Sequence, residues 1–241
     1  MRKDYRRGAP GSPLHAAAPH PRTARPGGAT RTPRIADAVR RDYGRLVHDY
    51  ERRWRTLNTV VREWVLARWP DGLVSNGRVL DLGCGTGAFL ASIAARYPRL
   101  ELAGLDLTPA LLAEARRRVP RAHLIEGDAE ALPFKEGTFD VVCSLNVLHH
   151  LHDRQRHVDA LTRLCRPGGT IFLCTFAGRR SLAMRALDLW LKRRNPAWRG
   201  MVSPEELEHM LALDERLAVR DRAERAAGFW RLQLLRIERR R

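Results

Sequence analysis

Apolar positions change their period several times along the chain, and each change marks an element. Between residues 36 and 69, Tyr50, Trp54, Leu57, Val61, Trp64 and Val65 recur at three- and four-residue steps with Arg and Glu opposite. That spacing predicts a helical stretch with one apolar stripe, and Pro70-Asp71-Gly72 ends it. The stripe reads as a surface packed on a core, although its N-terminal part, Tyr43 to Tyr50, could instead fold over a ligand. Short apolar runs then alternate with helical patterns: strands over 78–82, 100–105, 122–126, 139–144 and 170–174, and helices over 88–96, 109–119 and 153–165. Strand–helix repetition of this kind predicts a parallel sheet covered by helices on both faces. Ser203-Pro204-Glu205-Glu206 is a helix start, with Ser as N-cap and Pro in the first turn. Two β-type segments, 216–222 and 229–237, surround Ala226-Ala227-Gly228 and read as an antiparallel pair at the sheet edge. The expected fold is therefore α/β, Rossmann-like and doubly wound, a mostly parallel seven-stranded sheet with a C-terminal antiparallel strand pair.

Composition adjusts this picture at one end. Residues 1–36 are rich in Pro, Gly, Ala and Arg without a sustained pattern, so they are expected to be a disordered basic tail. Prolines and the lack of an apolar region argue against a targeting peptide. The remainder, 37–241, reads as one domain: a helical cap over 37–72, a core over 77–175, a variable segment over 176–202, and a terminal helix and strand pair over 203–241. Hydrophobic residues make up 44% of the 241, which supplies a core. No run approaches the roughly 18 apolar residues of a membrane span. The cysteines, Cys84, Cys143, Cys165 and Cys174, form no CxxC pair and no ligand spacing with histidine, so no metal is expected and a reducing, cytoplasmic setting is.

The formal net charge is +17, a balance that can attract nucleic acid. It is uneven, because residues 1–36 hold eight Arg or Lys against Asp4 alone. No nucleic-acid-binding motif accompanies it, and nucleic acid is not the expected partner.

The chemistry-bearing segment is Val79-Leu80-Asp81-Leu82-Gly83-Cys84-Gly85-Thr86-Gly87, a strand running into a glycine-rich turn before a helix. Gly83, Gly85 and Ala88 also satisfy the looser dinucleotide pattern G-x-G-x-x-G/A, so the glycines alone decide nothing. Asp81 tips the balance, since a carboxylate suits an ammonium and would repel a pyrophosphate. Further on come Asp106, at the end of the second strand, and Glu126-Gly127-Asp128-Ala129-Glu130-Ala131-Leu132-Pro133-Phe134 with Thr138-Phe139-Asp140-Val141-Val142. Arg166-Pro167-Gly168-Gly169 reads as a structural turn before the fifth strand.

With Asp81, Gly83, Gly85 and Gly87 in the order D-x-G-x-G-x-G, the chain resembles class I S-adenosylmethionine-dependent methyltransferases. The third-strand run resembles their small-molecule branch (type 11), which includes quinone-biosynthesis enzymes. The resemblance is close over about 77–174. It implies S-adenosyl-L-methionine as cofactor and methyl transfer to O, N or C of a small, apolar acceptor, releasing S-adenosylhomocysteine. The implied contacts are Asp81, Gly83, Cys84, Gly85, Thr86 and Gly87 around the methionine portion, Asp106 and Leu107 on the ribose, Asp128 and Ala129 on the adenine, and Asn146 in the loop after the fourth strand. In that loop His149 and His150 are candidate proton acceptors, with packing as the plainer reading. A methyltransferase acting on RNA or protein, or a non-catalytic cofactor-binding module, is the alternative.

Between the fifth strand and Ser203, the residues Leu182, Ala186, Leu187, Trp190 and Leu191 are expected to line one helix face, ringed by Arg179, Arg180, Arg185, Lys192, Arg193 and Arg194. Such a helix suits a cap over the acceptor, or, over 179–198, peripheral contact with an anionic membrane. Neither the oligomeric state nor the acceptor's identity follows from these patterns.

Overall fold

The computed structural model describes residues 32–47, 49–128, 132–178 and 182–241, the side chains of 32–35 excepted. The tail over 1–31 and Ala129, Arg179 and Arg180, all named above, lie outside the described residues.

One sheet of seven strands carries the fold, in the order β3-β2-β1-β4-β5-β7-β6. Strands β1 (Ser75–Leu82), β2 (Arg99–Asp106), β3 (His123–Glu126), β4 (Phe139–Leu145) and β5 (Cys165–Phe176) run parallel. Strands β6 (Leu217–Ala227) and β7 (Trp230–Arg239) form an antiparallel pair, and β7 pairs antiparallel with β5. This is the expected doubly wound architecture with its reversed edge. The order changes direction beside β1, so β1 and β4 leave a crevice at their carboxyl ends, where open α/β sheets take ligands.

Alternate residues of the central strands feed two cores. Val79, Val141, Cys143, Phe172 and Cys174 join Leu57, Val61, Trp64 and Val65 of α2 (Tyr50–Leu66) and Leu90 and Ile93 of α3 (Ala88–Arg96). Leu80, Leu82, Val142, Ile171 and Leu173 join Val158, Leu161 and Leu164 of α5 (Arg154–Leu164) and Leu207, Met210 and Leu211 of α7 (Pro204–Ala212). Ser203 caps α7 as its sequence implies, its hydroxyl accepting from the Glu206 N–H at 3.1 Å.

Three details differ from expectation. The stretch from 36 to 69 is two helices, α1 (Thr32–Leu46) and α2, and α1 packs against α4 (Pro109–Arg118). A single straight helix would have carried residues 46 to 36 about 6 to 21 Å beyond Tyr50, at about 1.5 Å per residue. The break returns them over the strand ends. Residues 32–36, assigned to the tail, form the first turn of α1, where Pro33 forfeits no helical hydrogen bond. The turn at 166–169 lies inside β5: Phe139 pairs with Cys165 and Val141 with Thr170, so four residues bulge opposite Asp140. Asp140 holds this irregular edge, accepting from the Arg78 N–H at 2.8 Å and from Arg166 at 2.5 Å.

Candidate active site

The turn after β1 exposes backbone toward the crevice. Gly83, Gly85 and Gly87 have φ of 78°, 53° and 72°. At Gly83 the requirement is double, because a Cβ there would also lie 2.5 Å from Val147 Cγ2. The Leu105 carbonyl accepts from the N–H groups of Gly83 (2.7 Å) and Cys84 (3.1 Å), which straps the turn to β2. Asp106 completes the strap: Oδ2 accepts from the Gly85 N–H at 2.7 Å and Oδ1 from the Thr108 N–H at 2.8 Å. Burial pushes its carboxyl up, and those two N–H groups offset only part of the rise. The carboxylate so held also lines the adjoining cavity.

Three cavities with shared walls lie beside this turn and the end of β4. The first runs from Gly83, Gly85, Asp106 and Leu107 to Asp128, and Ala36, Val39 and Tyr43 of α1 line it too. The second lies behind the turn, lined by Asp81, Cys84, Thr86 and Phe89. Asp81 is 3% exposed and its Oδ1 has no hydrogen-bond partner. Burial, with the Asp106 charge adding to it, pushes its carboxyl up to about 7. A buried carboxylate oxygen in that state is a ready acceptor for a cationic group.

The third cavity encloses about 700 Å³, mouth included, between Trp54, Phe176, Trp198, Trp230, Tyr43, Tyr50, His149 and His150, with Arg53 also in its lining. The rings touch: Phe176 lies 5.5 Å from Trp198 and 4.7 Å from Trp230, centroid to centroid. Tyr50, Leu145 and Asn146 belong to the walls of all three cavities. Asn146 holds its place at φ 61°, its N–H donating to the Cys174 carbonyl at 2.9 Å and its side-chain oxygen accepting from Cys174 Sγ at 3.3 Å.

Most of the expected contacts thus converge, in differing roles. Gly83, Gly85, Asp106, Leu107, Asp128 and Asn146 line the first cavity, while Asp81, Cys84 and Thr86 line the second. Cys84 is a core residue, its Sγ packed near Gly104, which leaves its backbone to face a ligand. The Thr86 hydroxyl is committed to Glu51 of α2 and to Arg118 of α4, whose Nη1 lies 2.9 Å away. Gly87 lines none of the three: it is the N-cap of α3, and a Cβ on it would sit 3.0 Å from that of Ala115. Of the two histidines, His149 is buried against Phe176 and Trp198, whereas His150 lines both the first and third cavities.

Helix α6 (Leu182–Arg194) presents a different face from the one expected. Met184, Leu187 and Leu191 pack against the core, but Leu182, Ala186 and Trp190 are exposed. The cause is Asp188, buried in that face, which accepts from Trp198 Nε1 and the Met201 N–H, each at 2.9 Å, and pairs with Lys192. A polar residue thus sets the helix rotation, against the apolar count. Sequence reasoning also misses the aromatic cavity, because its rings come from α2, β5, β7 and the segment after α6, with no spacing to connect them.

Residues 80–173 match the family model described as Methyltransferase domain. That segment runs from β1 to β5 and holds the glycine turn, Asp106, Asp128 and Asn146. The chain's curated relatives include a malonyl-[acyl-carrier protein] O-methyltransferase of Halorhodospira halophila, 33% identical over 141 residues, covering 57% of this chain and 48% of that protein. A demethylmenaquinone methyltransferase of Chlorobaculum tepidum is 32% identical over 127 residues, covering 52% of each. The chain spans about half the length of these relatives. The fold matches the geranyl diphosphate C-methyltransferase of Streptomyces coelicolor A3(2), with a TM-score of 0.62 and 14% identity over 75% of this chain and 76% of that one; that structure contains S-adenosyl-L-homocysteine. Among the described residues, no helix is long and apolar enough to cross a membrane.

Proposed function

We propose that this chain transfers a methyl group from S-adenosyl-L-methionine to a small apolar acceptor and releases S-adenosylhomocysteine. The observation that carries the reading is the junction of three cavities at Tyr50, Leu145 and Asn146. One branch offers Asp106 and Asp128, the second the orphaned Asp81 oxygen, and the third an aromatic chamber. The donor set suits the cofactor's parts. Asp81 would hold the ammonium, Asp106 the ribose hydroxyls and Asp128 the adenine amino group, with the backbone of Gly83 and Gly85 against the methionine portion. When bound, the cofactor supplies a methyl group on a positively charged sulfur. The chain supplies alignment, which is worth roughly 7–11 kcal/mol of barrier when the reacting atoms are well placed. The aromatic walls exclude water and favour a flat apolar acceptor over a macromolecule.

Calorimetric titration with S-adenosylmethionine, S-adenosylhomocysteine and NAD tests this. Micromolar binding of the first two and none of NAD is expected, with Asp106→Ala weakening binding by about 10- to 100-fold, the equivalent of a charge-assisted hydrogen bond of about 1.5–3 kcal/mol. Binding of NAD alone would overturn the reading in favour of an oxidoreductase.

Two further features belong to this reading. The described cysteines are all free and buried, which suits work in the cytoplasm. The outward face of α6 exposes Leu182 (80%), Trp190 (54%) and Leu189 (50%) beside Arg185, Arg193 and Arg194. That combination suits an anionic lipid surface, and Leu191 on the same helix lines the acceptor chamber.

A further inference from the structure

The wall between the first cavity and the aromatic chamber carries one polar pair. The Tyr43 hydroxyl lies 2.8 Å from His150 Nε2, and His150 Nδ1 lies 2.7 Å from the Ala197 carbonyl oxygen. A carbonyl can only accept, so Nδ1 bears the ring proton and Nε2 is left as the acceptor. Tyr43 must then be the donor in the pair, and its oxygen keeps lone pairs free to accept from a third group. Both residues line both cavities, so a group placed where donor and acceptor meet can reach that oxygen. His149 has no equivalent arrangement. Its ring is packed 3.9 Å from that of His150, and its Nδ1 has no partner.

We propose that Tyr43 and His150 form a proton relay for the acceptor, which assigns the acceptor to flat apolar molecules that are methylated on a hydroxyl oxygen. This rests on the methyltransferase reading. As the acceptor oxygen forms its bond to the methyl carbon, the carbon–sulfur bond breaks and its electron pair stays on sulfur. The hydroxyl proton passes to Tyr43 Oη while the proton of Tyr43 passes to His150 Nε2. The positive charge that began on sulfur ends on the imidazolium, which later gives its proton to water.

The surroundings suit a brief proton holder. Burial, opposed by the Ala197 hydrogen bond and by Asp42 of α1, pulls the His150 ring down to about 4, and burial, with Asp106 and Asp42 adding to it, pushes the Tyr43 hydroxyl up. Among the described residues, the cavities that the pair lines also hold Arg53 and Tyr50 of α2, Asp106, Asp128, His149 and His152. The pair therefore rests neutral at pH 7, and a proton it receives is passed on quickly.

Two measurements test the relay. Nitrogen NMR of histidine-labelled protein, without cofactor, should show His150 as the Nδ1–H tautomer, titrating well below 6.5, with an Nε2 shift that moves in Tyr43→Phe. An Nε2–H tautomer or titration near 6.5 overturns the relay whatever the activity. Methyl transfer is then compared for 2-naphthol and 2-naphthalenethiol, the second of which is ionised at pH 8 and needs no base. Tyr43→Phe and His150→Gln should lower transfer to the naphthol by about 100-fold or more, leave the thiol within about threefold, and leave S-adenosylhomocysteine affinity within about threefold. Equal losses on both acceptors, or none on the naphthol, overturn the relay. Transfer by the wild type to neither acceptor overturns the acceptor class. Failure to bind S-adenosylhomocysteine sinks the methyltransferase reading and the relay with it, a failure the cofactor-free NMR keeps distinct from that of the pair itself.

Discussion

Asp81 shows most directly what a single residue contributes. Its carboxyl is 3% exposed with one orphaned oxygen, so ionising it without a partner costs stability. Burial has raised it from the ordinary carboxylate range to about 7. A raised folded-state value means a contribution that is fully present below about pH 4 and lost as pH rises through 7. Asp81→Asn should therefore stabilise the cofactor-free protein at pH 8, by an amount on the order of 2–4 kcal/mol for a shift of this size, and change little at pH 4. Urea unfolding at the two pH values measures this, and equal midpoint shifts at both would refute it. The same variant should bind S-adenosylmethionine about 10- to 100-fold more weakly, because the ammonium loses its charged partner. At pH 6 the wild type should release close to one proton on binding, visible as a buffer-dependent calorimetric enthalpy, and Asp81→Asn should release none.

At the scale of elements, the glycine turn joins what the sequence makes legible to what it hides. Apolar runs located the central strands because those strands feed two cores, and D-x-G-x-G-x-G located the turn because glycine takes left-handed backbone angles at no steric cost. The partners of that turn come from elsewhere. Val147 closes over Gly83, and Glu51 with Arg118 holds Thr86, contacts made across |i−j| of 32 to 64 that no local spacing announces. The break between α1 and α2 and the rotation of α6 were hidden for the same reason: where each helix docks is decided by tertiary partners, by α4 for α1 and by buried Asp188 for α6. Gly83→Ala measures what the turn demands. It should cost roughly 1–3 kcal/mol for a left-handed alanine, with a further loss from the contact with Val147. In the double variant with Val147→Ala, the contact penalty should vanish while the backbone penalty remains. Denaturant unfolding of the two single variants and the double variant checks this, and strict additivity would show that the two residues do not meet.

For the molecule as a whole, the question is what its cationic, partly apolar exterior meets. The net charge of +17 would draw the chain toward any polyanion, so binding to anionic vesicles alone would say little. The outward face of α6 makes a sharper claim, because Leu182, Leu189 and Trp190 gain from a bilayer only by inserting. Wild-type protein should sediment with phosphatidylglycerol vesicles at low salt and only weakly with phosphatidylcholine vesicles. Replacing all three residues by serine leaves every charge in place, yet should cut anionic-vesicle binding by at least about tenfold. Burying even half of three such side chains is worth more than 1.4 kcal/mol, at about 1.5–3 kcal/mol for each fully buried residue. Tryptophan emission should shift to the blue on wild-type binding, and the shift should shrink once Trp190 is gone. If the serine variant sediments like the wild type, charge alone holds the protein to the vesicle and α6 has no lipid role. If binding falls as expected, the acceptor chamber lies one helix away from the lipid, since Leu191 lines it from the opposite face of α6. An acceptor dissolved in the bilayer would then reach the aromatic walls without crossing water.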